Sequence, residues 1–177
     1  KFLIYTALSG ALAFLGFMGL VALTHANSFD YNPTLAAQLP LAQQAILLTI
    51  LLIAFGIKVP IVPLHTWLPD AHVEASTPVS MILAGVLLKL GTYGILRFGV
   101  GLFPDAWHLF APWLAAIAVV STLYGSLNAI VQQDMKKLVA YSSIGHMGYI
   151  ILALAAGTPL SLLGSVAQMV SHGLISA

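Results

Sequence analysis

From Phe2 to Leu23 the chain carries no charged side chain, and apolar runs of similar length recur to its end. A helix needs about 20 mostly apolar residues to cross a hydrocarbon core of about 30 Å. Lipid offers no water to satisfy open backbone groups, so repeated runs of this kind fold as a bundle of spanning helices. The composition agrees. Of 177 residues only 6% are charged and 60% are hydrophobic, whereas soluble domains carry roughly 25% charged residues. The sequence therefore reads as an all-α polytopic membrane protein. Its net charge of +1 comes with no basic stripe, which excludes nucleic acid as a partner. It has no cysteine, so disulfides, thiolate chemistry and a cysteine-held iron–sulfur cluster are excluded on this chain. No glycine-rich phosphate loop or dinucleotide fingerprint is present.

About six spans are expected within one transmembrane domain covering 1–177. The first is 2–23, followed by a polar loop, His25–Gln38, with Asn27, Asp30, Asn32 and Pro33. The second, 41–72, meets Lys58, Pro60 and Pro63 before it is complete. Each proline removes a backbone donor and disfavours helix in the residue before it. A break near 58–63 follows, with a short helical piece resuming about Leu64–His72. The remaining spans are 78–98, 109–131, 138–156 and 160–177. Ser76 or Thr77 caps the third, and Pro78 suits its first turn. Lys136 and Lys137 place the loop between the fourth and fifth spans on the inner side, which puts Lys1 inside and the Asp30 loop outside; Arg97, at the outer end of the third span, counts against this. The chain opens on Lys1 rather than Met and stops at Ala177 within an apolar run, so an internal piece of a longer protein is expected.

The informative residues are titratable groups far from loop ends. Lys89 is roughly 16 Å along its span from Pro78, His146 roughly 13 Å from Lys137, and His172 roughly 20 Å from Pro159, at the rise of an α-helix. Lys58 lies at the helix break. Four such groups on four spans therefore share a middle layer. A charge at mid-bilayer costs at least about 2.5 kcal/mol, so these groups must face protein or water. A histidine there exchanges protons readily, and a buried lysine does so at accessible pH. Irregular backbone at membrane depth survives only where protein or water satisfies it, and transporters place ion sites at such breaks. Free carbonyls ending the first half-helix favour a cation such as Lys58.

Plainer roles stand beside these. A lone intramembrane lysine can be a structural ion-pair partner, and a single histidine can bond two helices together. His65, Asp70, His72 and Glu74 form a polar cluster after the break. Their spacing matches no metal motif, and a cap at headgroup level is the expected reading. Asp134, Lys136 and Lys137 read as a solvated loop. Ser142, Ser143, Gly145 and Gly148 read as small residues for close helix packing, and Trp67, Trp107 and Trp113 as an interfacial belt.

The stretch KVPIVPLHTWLPDAHVEASTPVSMILAGVLLKLGTYGILRF resembles the antiporter-like membrane subunits of respiratory complex I and its relatives. QQDMKKLVAYSSIGHMGY and QMVSHGLISA resemble them too. The resemblance covers about residues 40–177. It is nearest to the chain M/subunit 4 type, including the D-type subunit of cyanobacterial and chloroplast NAD(P)H dehydrogenase-like complexes. It implies an antiporter-like fold of two inverted repeats, each with a discontinuous helix, of which this chain resembles the middle. It also implies that Lys58 and Lys89 match the family's lysines at and after the first broken helix. By the same resemblance, His146 and His172 match histidines that continue a hydrated axis. The family's glutamate that pairs with the first lysine, and the group that ends the path, have no counterpart in this sequence.

Three functions follow as expectations. The first is a proton-translocating subunit of a complex-I-like NAD(P)H/ferredoxin:quinone oxidoreductase, in a bacterial inner membrane or a thylakoid membrane. Lys58, Lys89, His146 and His172 would then form the proton relay. The partners would be the bilayer and other membrane subunits, with no cofactor on this chain, and flavin, iron–sulfur clusters and quinone would belong to partner subunits. The second is a subunit of a multi-subunit sodium/proton antiporter or a membrane-bound hydrogenase. The third is a membrane scaffold whose lysines are silent.

Overall fold

The computed structural model describes residues 1–26, 28 and 30–176. Asn27, assigned to the polar loop, and Ala177, the end of the last span, lie outside the described residues. The elements are α1 (Phe2–Thr24), α2 (Pro33–Ala37), α3 (Leu41–Lys58) and α4 (Trp67–Glu74), then α5 (Thr77–Val100), α6 (Pro104–Ile130), α7 (Met135–Ala156) and α8 (Pro159–Ser176). Among the described residues no strand occurs, and α1, α3, α5, α6 and α7 are long and apolar enough to cross a membrane. Gln168 and His172 make α8 more polar than these five. The chain is an all-α integral membrane protein.

Local chemistry sets several boundaries. Pro104 stands in the first turn of α6, where a missing N–H costs nothing, so this helix begins five residues before the expected Leu109. Asp134 caps α7 by accepting from the Lys136 amide at 2.8 Å. Gly157, at φ 64°, ends that helix in the left-handed conformation that suits glycine.

α3 stops at Lys58, and the chain turns through residues 59–66 before α4 begins. Backbone groups freed there are met by side chains. The Trp67 indole donates to the Ile57 carbonyl at 2.8 Å, and the Val62 amide donates to Ser121 Oγ on α6 at 3.0 Å. Trp67 is wholly buried, so it is a strut of the break and not a member of the interfacial belt expected for it.

The helices pack through small residues. α6 and α7 cross so closely that a methyl group on Gly125 would come within 2.5 Å of the Gly145 amide nitrogen. Gly16 of α1 fits against Leu51 of α3, and Ser9 donates to the Ala54 carbonyl at 2.8 Å. At one end of the bundle Lys1 meets Asp70 at 2.7 Å and Lys136 donates to the Ala75 carbonyl. The hydrogen bond to Asp70 raises the Lys1 ammonium above the ordinary lysine value. At the other end Tyr31 donates to the Arg97 carbonyl, and the guanidinium lies 3.8 Å over its ring.

Replacing Trp67 with Phe keeps the ring but leaves the buried Ile57 carbonyl unpaired. The expected loss is about 1–3 kcal/mol, the cost of a buried group without its partner. Thermal unfolding of the detergent-solubilised protein reads this as a lower Tm. An unchanged Tm would mean that the indole does not brace the break.

Candidate functional site: a lysine and two histidines between three helices

The site begins with an irregularity in α5. Residues Leu83–Leu87 form a π-helical turn. The Leu88 amide reaches back five residues to the Leu83 carbonyl, so the Ala84 carbonyl lacks the donor an α-helix would give it. Lys89 Nζ takes that carbonyl at 2.6 Å. The same nitrogen lies 2.7 Å from His172 Nδ1 on α8. π-turns inside helices gather at functional positions because they free a backbone group in this way.

His172 is 4% exposed, and α8 approaches α5 closely beside it. A methyl group on Gly173 would lie 3.3 Å from the Gly85 carbonyl and 3.6 Å from Lys89 Cε. The His172 and His146 rings are 5.1 Å apart, centre to centre, at 54°. His146, on α7, meets the Gln168 side chain of α8 at 3.1 Å. Thus α5, α7 and α8 bring Lys89, His172 and His146 into one continuous line that closes on Gln168.

The Lys89–His172 contact is one that can exchange a proton. An ammonium has three donors and no acceptor, so a protonated Lys89 requires a lone pair on His172 Nδ1. Moving one proton along the 2.7 Å contact leaves a neutral amine and an imidazolium. Both states keep the hydrogen bond.

Lys58 stands apart from the other three. It ends α3, half-buried, and among the described residues its ammonium has no hydrogen bond or ion pair. Its Cβ lies against Gly91, where a methyl group would come within 2.9 Å of it. Residues 89 and 91 are about 200° apart around a helix. Lys58 therefore packs on the side of α5 opposite to the Lys89 side chain.

The polar cluster after the break divides in two. Asp70 and Glu74 are exposed, as a headgroup cap requires, but His65 and His72 are 6% and 2% exposed. His72 Nδ1 bonds Ser80 Oγ at 2.6 Å, and the His65 ring stands edge-on to Tyr124 at 4.9 Å. His65 Nδ1, His72 Nε2 and Ser143 Oγ are buried without a protein partner, the usual situation of atoms that bind ordered water. His65 lies in the turn before α4 and His72 on the helix itself, so no helical period in the sequence signals that both imidazoles are buried. Among the described residues no three His, Asp or Glu side chains converge as a metal site.

Comparison with known proteins bears on this arrangement. A family model described as NADH:quinone oxidoreductase/Mrp antiporter, TM, matches residues 1–177. A Synechococcus NAD(P)H-quinone oxidoreductase chain 4 is 48% identical over the whole of this chain, which spans 34% of that relative. A Nostoc NAD(P)H-quinone oxidoreductase chain 4-3 is 49% identical over 177 residues, 32% of its length. The chain thus spans about a third of the curated relatives it matches. Among solved structures, a chain of Thermus thermophilus respiratory complex I with bound NADH superposes with TM-score 0.86 at 28% identity, over 99% of this chain and 38% of that one. A chain of the Dietzia Mrp complex gives TM-score 0.87 at 20% identity, over 99% of this chain and 32% of that one, a likeness of fold.

The Lys89–His172 contact is testable through stability. A double-mutant cycle with Lys89→Met and His172→Phe should give a coupling of about 0.5–3 kcal/mol, the range for residues in direct contact. Thermal unfolding in detergent supplies the four values. Single-variant effects that simply add would mean that the two side chains do not interact.

Proposed function

This chain belongs to the NADH:quinone oxidoreductase/Mrp antiporter transmembrane family, and we propose that it relays protons within a membrane subunit of a complex-I-like NAD(P)H/ferredoxin:quinone oxidoreductase. One observation carries the reading: a lysine at membrane depth whose ammonium touches a buried histidine, which in turn faces a second histidine. Placing a charge in the hydrocarbon layer costs several kcal/mol. The Ala84 carbonyl and the His172 ring offset this cost for Lys89. Neither partner is an anion, so neither fixes the lysine in its charged form.

In this reading a proton on Lys89 passes to His172 Nδ1 and onward to His146. Lys58 acts from across α5 by its charge. Two unit charges about 10 Å apart repel by roughly 1.7 kcal/mol at an effective dielectric of about 20, enough to shift an equilibrium more than tenfold. A cation arriving at Lys58 therefore drives the proton off Lys89 without contact. The buried His65 and His72 supply polar positions on the side of the break.

The relatives named as NAD(P)H-quinone oxidoreductase chains, at 48% and 49% identity, favour this reading. The partners are then other membrane subunits and the bilayer of a bacterial inner membrane or a thylakoid. Flavin, iron–sulfur clusters and quinone belong to those other subunits. A sodium/proton antiporter subunit is the second reading, favoured by the fold shared with the Dietzia Mrp chain. Flavin and iron–sulfur signals in the purified complex separate the two.

Two substitutions in the intact complex test the relay. Lys89→Ala should cut proton translocation by more than half with assembly retained. Lys89→Arg should impair it as well, because a guanidinium stays protonated and cannot pass its proton on. If the Arg variant pumps like the parent while the Ala variant does not, Lys89 is a fixed charge and no exchange occurs there.

A further inference from the structure

Gln168 is the one side chain that hydrogen-bonds His146 among the described residues. It lies one helical turn before His172 on α8, so a single helix face presents both His172 and the group that holds His146. The contact is made at Nδ1, at 3.1 Å. An open pocket of about 360 Å3 is lined by His146, Tyr149, Ala153, Gly164, Ser165 and Gln168. It has polar groups on Tyr149, Ser165 and Gln168, as a water-holding space needs. The charged and titratable groups around His146 are Lys89 on α5, His172 on α8 and Tyr149 on its own helix.

We propose that Gln168 is a positioning residue for the relay: its amide holds His146 by Nδ1 in either protonation state and so leaves Nε2 as the ring nitrogen that takes up and releases the proton. This rests on the relay reading above. The amide can do so because it has a donor at one end and an acceptor at the other. With its NH2 turned to Nδ1, the ring carries its proton on Nε2. A half-turn of the amide presents Oε1 instead and selects the other tautomer, reached by loss of the Nε2 proton to water and gain of one at Nδ1; the Nδ1–H then donates to Oε1, and the Nε2 lone pair is free. A proton arriving at Nε2 forms an imidazolium whose Nδ1–H remains on Oε1. Release breaks the Nε2–H bond and restores the neutral ring, with no other bond changed. The ring orientation is held throughout, and the cavity beside Gln168 receives the released proton through water.

The experiment uses the assembled complex in proteoliposomes, with protons moved per quinone reduced as the readout and native electrophoresis as the control for assembly. Three variants are compared with the parent: His146→Met, Gln168→Met and Gln168→Glu. Methionine matches glutamine in length and volume but offers no strong hydrogen bond. Gln168→Met is expected to reproduce at least half of the deficit of His146→Met. Gln168→Glu, whose carboxylate accepts from Nδ1–H, is expected to recover at least half of what the methionine lost. A packing role predicts the reverse, with Met tolerated and Glu harmful. Normal pumping by Gln168→Met beside a defective His146→Met overturns the positioning role and leaves the relay standing, as does a Glu variant no better than Met. Normal pumping by His146→Met removes the relay through His146 and the positioning role with it.

Discussion

In a hydrocarbon layer every backbone donor and acceptor, and every charge, has to find its partner within the protein. The arrangement of this chain follows from where that demand is hardest to meet. It is hardest at the break after Lys58, where the helix ladder stops at membrane depth. Two side chains distant in sequence answer it: Trp67, which reaches back to the Ile57 carbonyl, and Ser121, which accepts from the Val62 amide. The break is therefore a fixed feature that ties α3, α4 and α6 together, and it holds Lys58 at one place in the layer.

The same demand explains the second irregularity. A lysine in the middle of an apolar helix needs acceptors, and in a regular α-helix each carbonyl is already shared with a backbone amide. The π-turn at Leu83–Leu87 supplies one by moving the Leu88 amide from Ala84 to Leu83. His172 supplies another. The close approach of Gly173 to Gly85 lets α8 come near enough to do so. A side chain at Gly173 would press on the Gly85 carbonyl, 3.3 Å from its Cβ, and on Lys89 Cε, 3.6 Å away. The glycines of this pair thus act on the site through the spacing of their helices.

Much of the fold was legible in the sequence, because the signals were strong and local. Long charge-free runs define the helices, and Pro60 and Pro63 end one of them early. The depths of Lys89, His146 and His172 follow from counting residues, and the structure brings these three together. Three features were not legible. The π-turn has no signature in LAGVL, whose residues suit an ordinary helix; it shows only in the backbone, where it leaves the Ala84 carbonyl to Lys89. The faces of α5 could not be assigned while every residue around Lys89 was apolar, so the placement of Lys58 behind Gly91 came only with the packing. His65 and His72 read as a headgroup cap because Asp70 and Glu74 stand beside them. In the structure the short helix α4 turns its carboxylates outward and His72 inward, and the turn before it buries His65.

The placement of the two lysines on opposite sides of α5 decides what kind of coupling the proposed relay can use. A hydrogen-bonded wire from Lys58 to Lys89 would have to pass around α5, which packs at Gly91 against Phe55, Lys58 and Val59. A field needs no such path. Coulomb interaction falls only as the inverse of distance, and the low polarisability of packed side chains leaves it stronger here than in water. A helix between two charges thus separates the lysines while transmitting their influence. The proposed relay can use that combination: the charge on Lys58 biases when Lys89 releases its proton, while the proton itself moves only along the hydrogen-bonded side, toward His172.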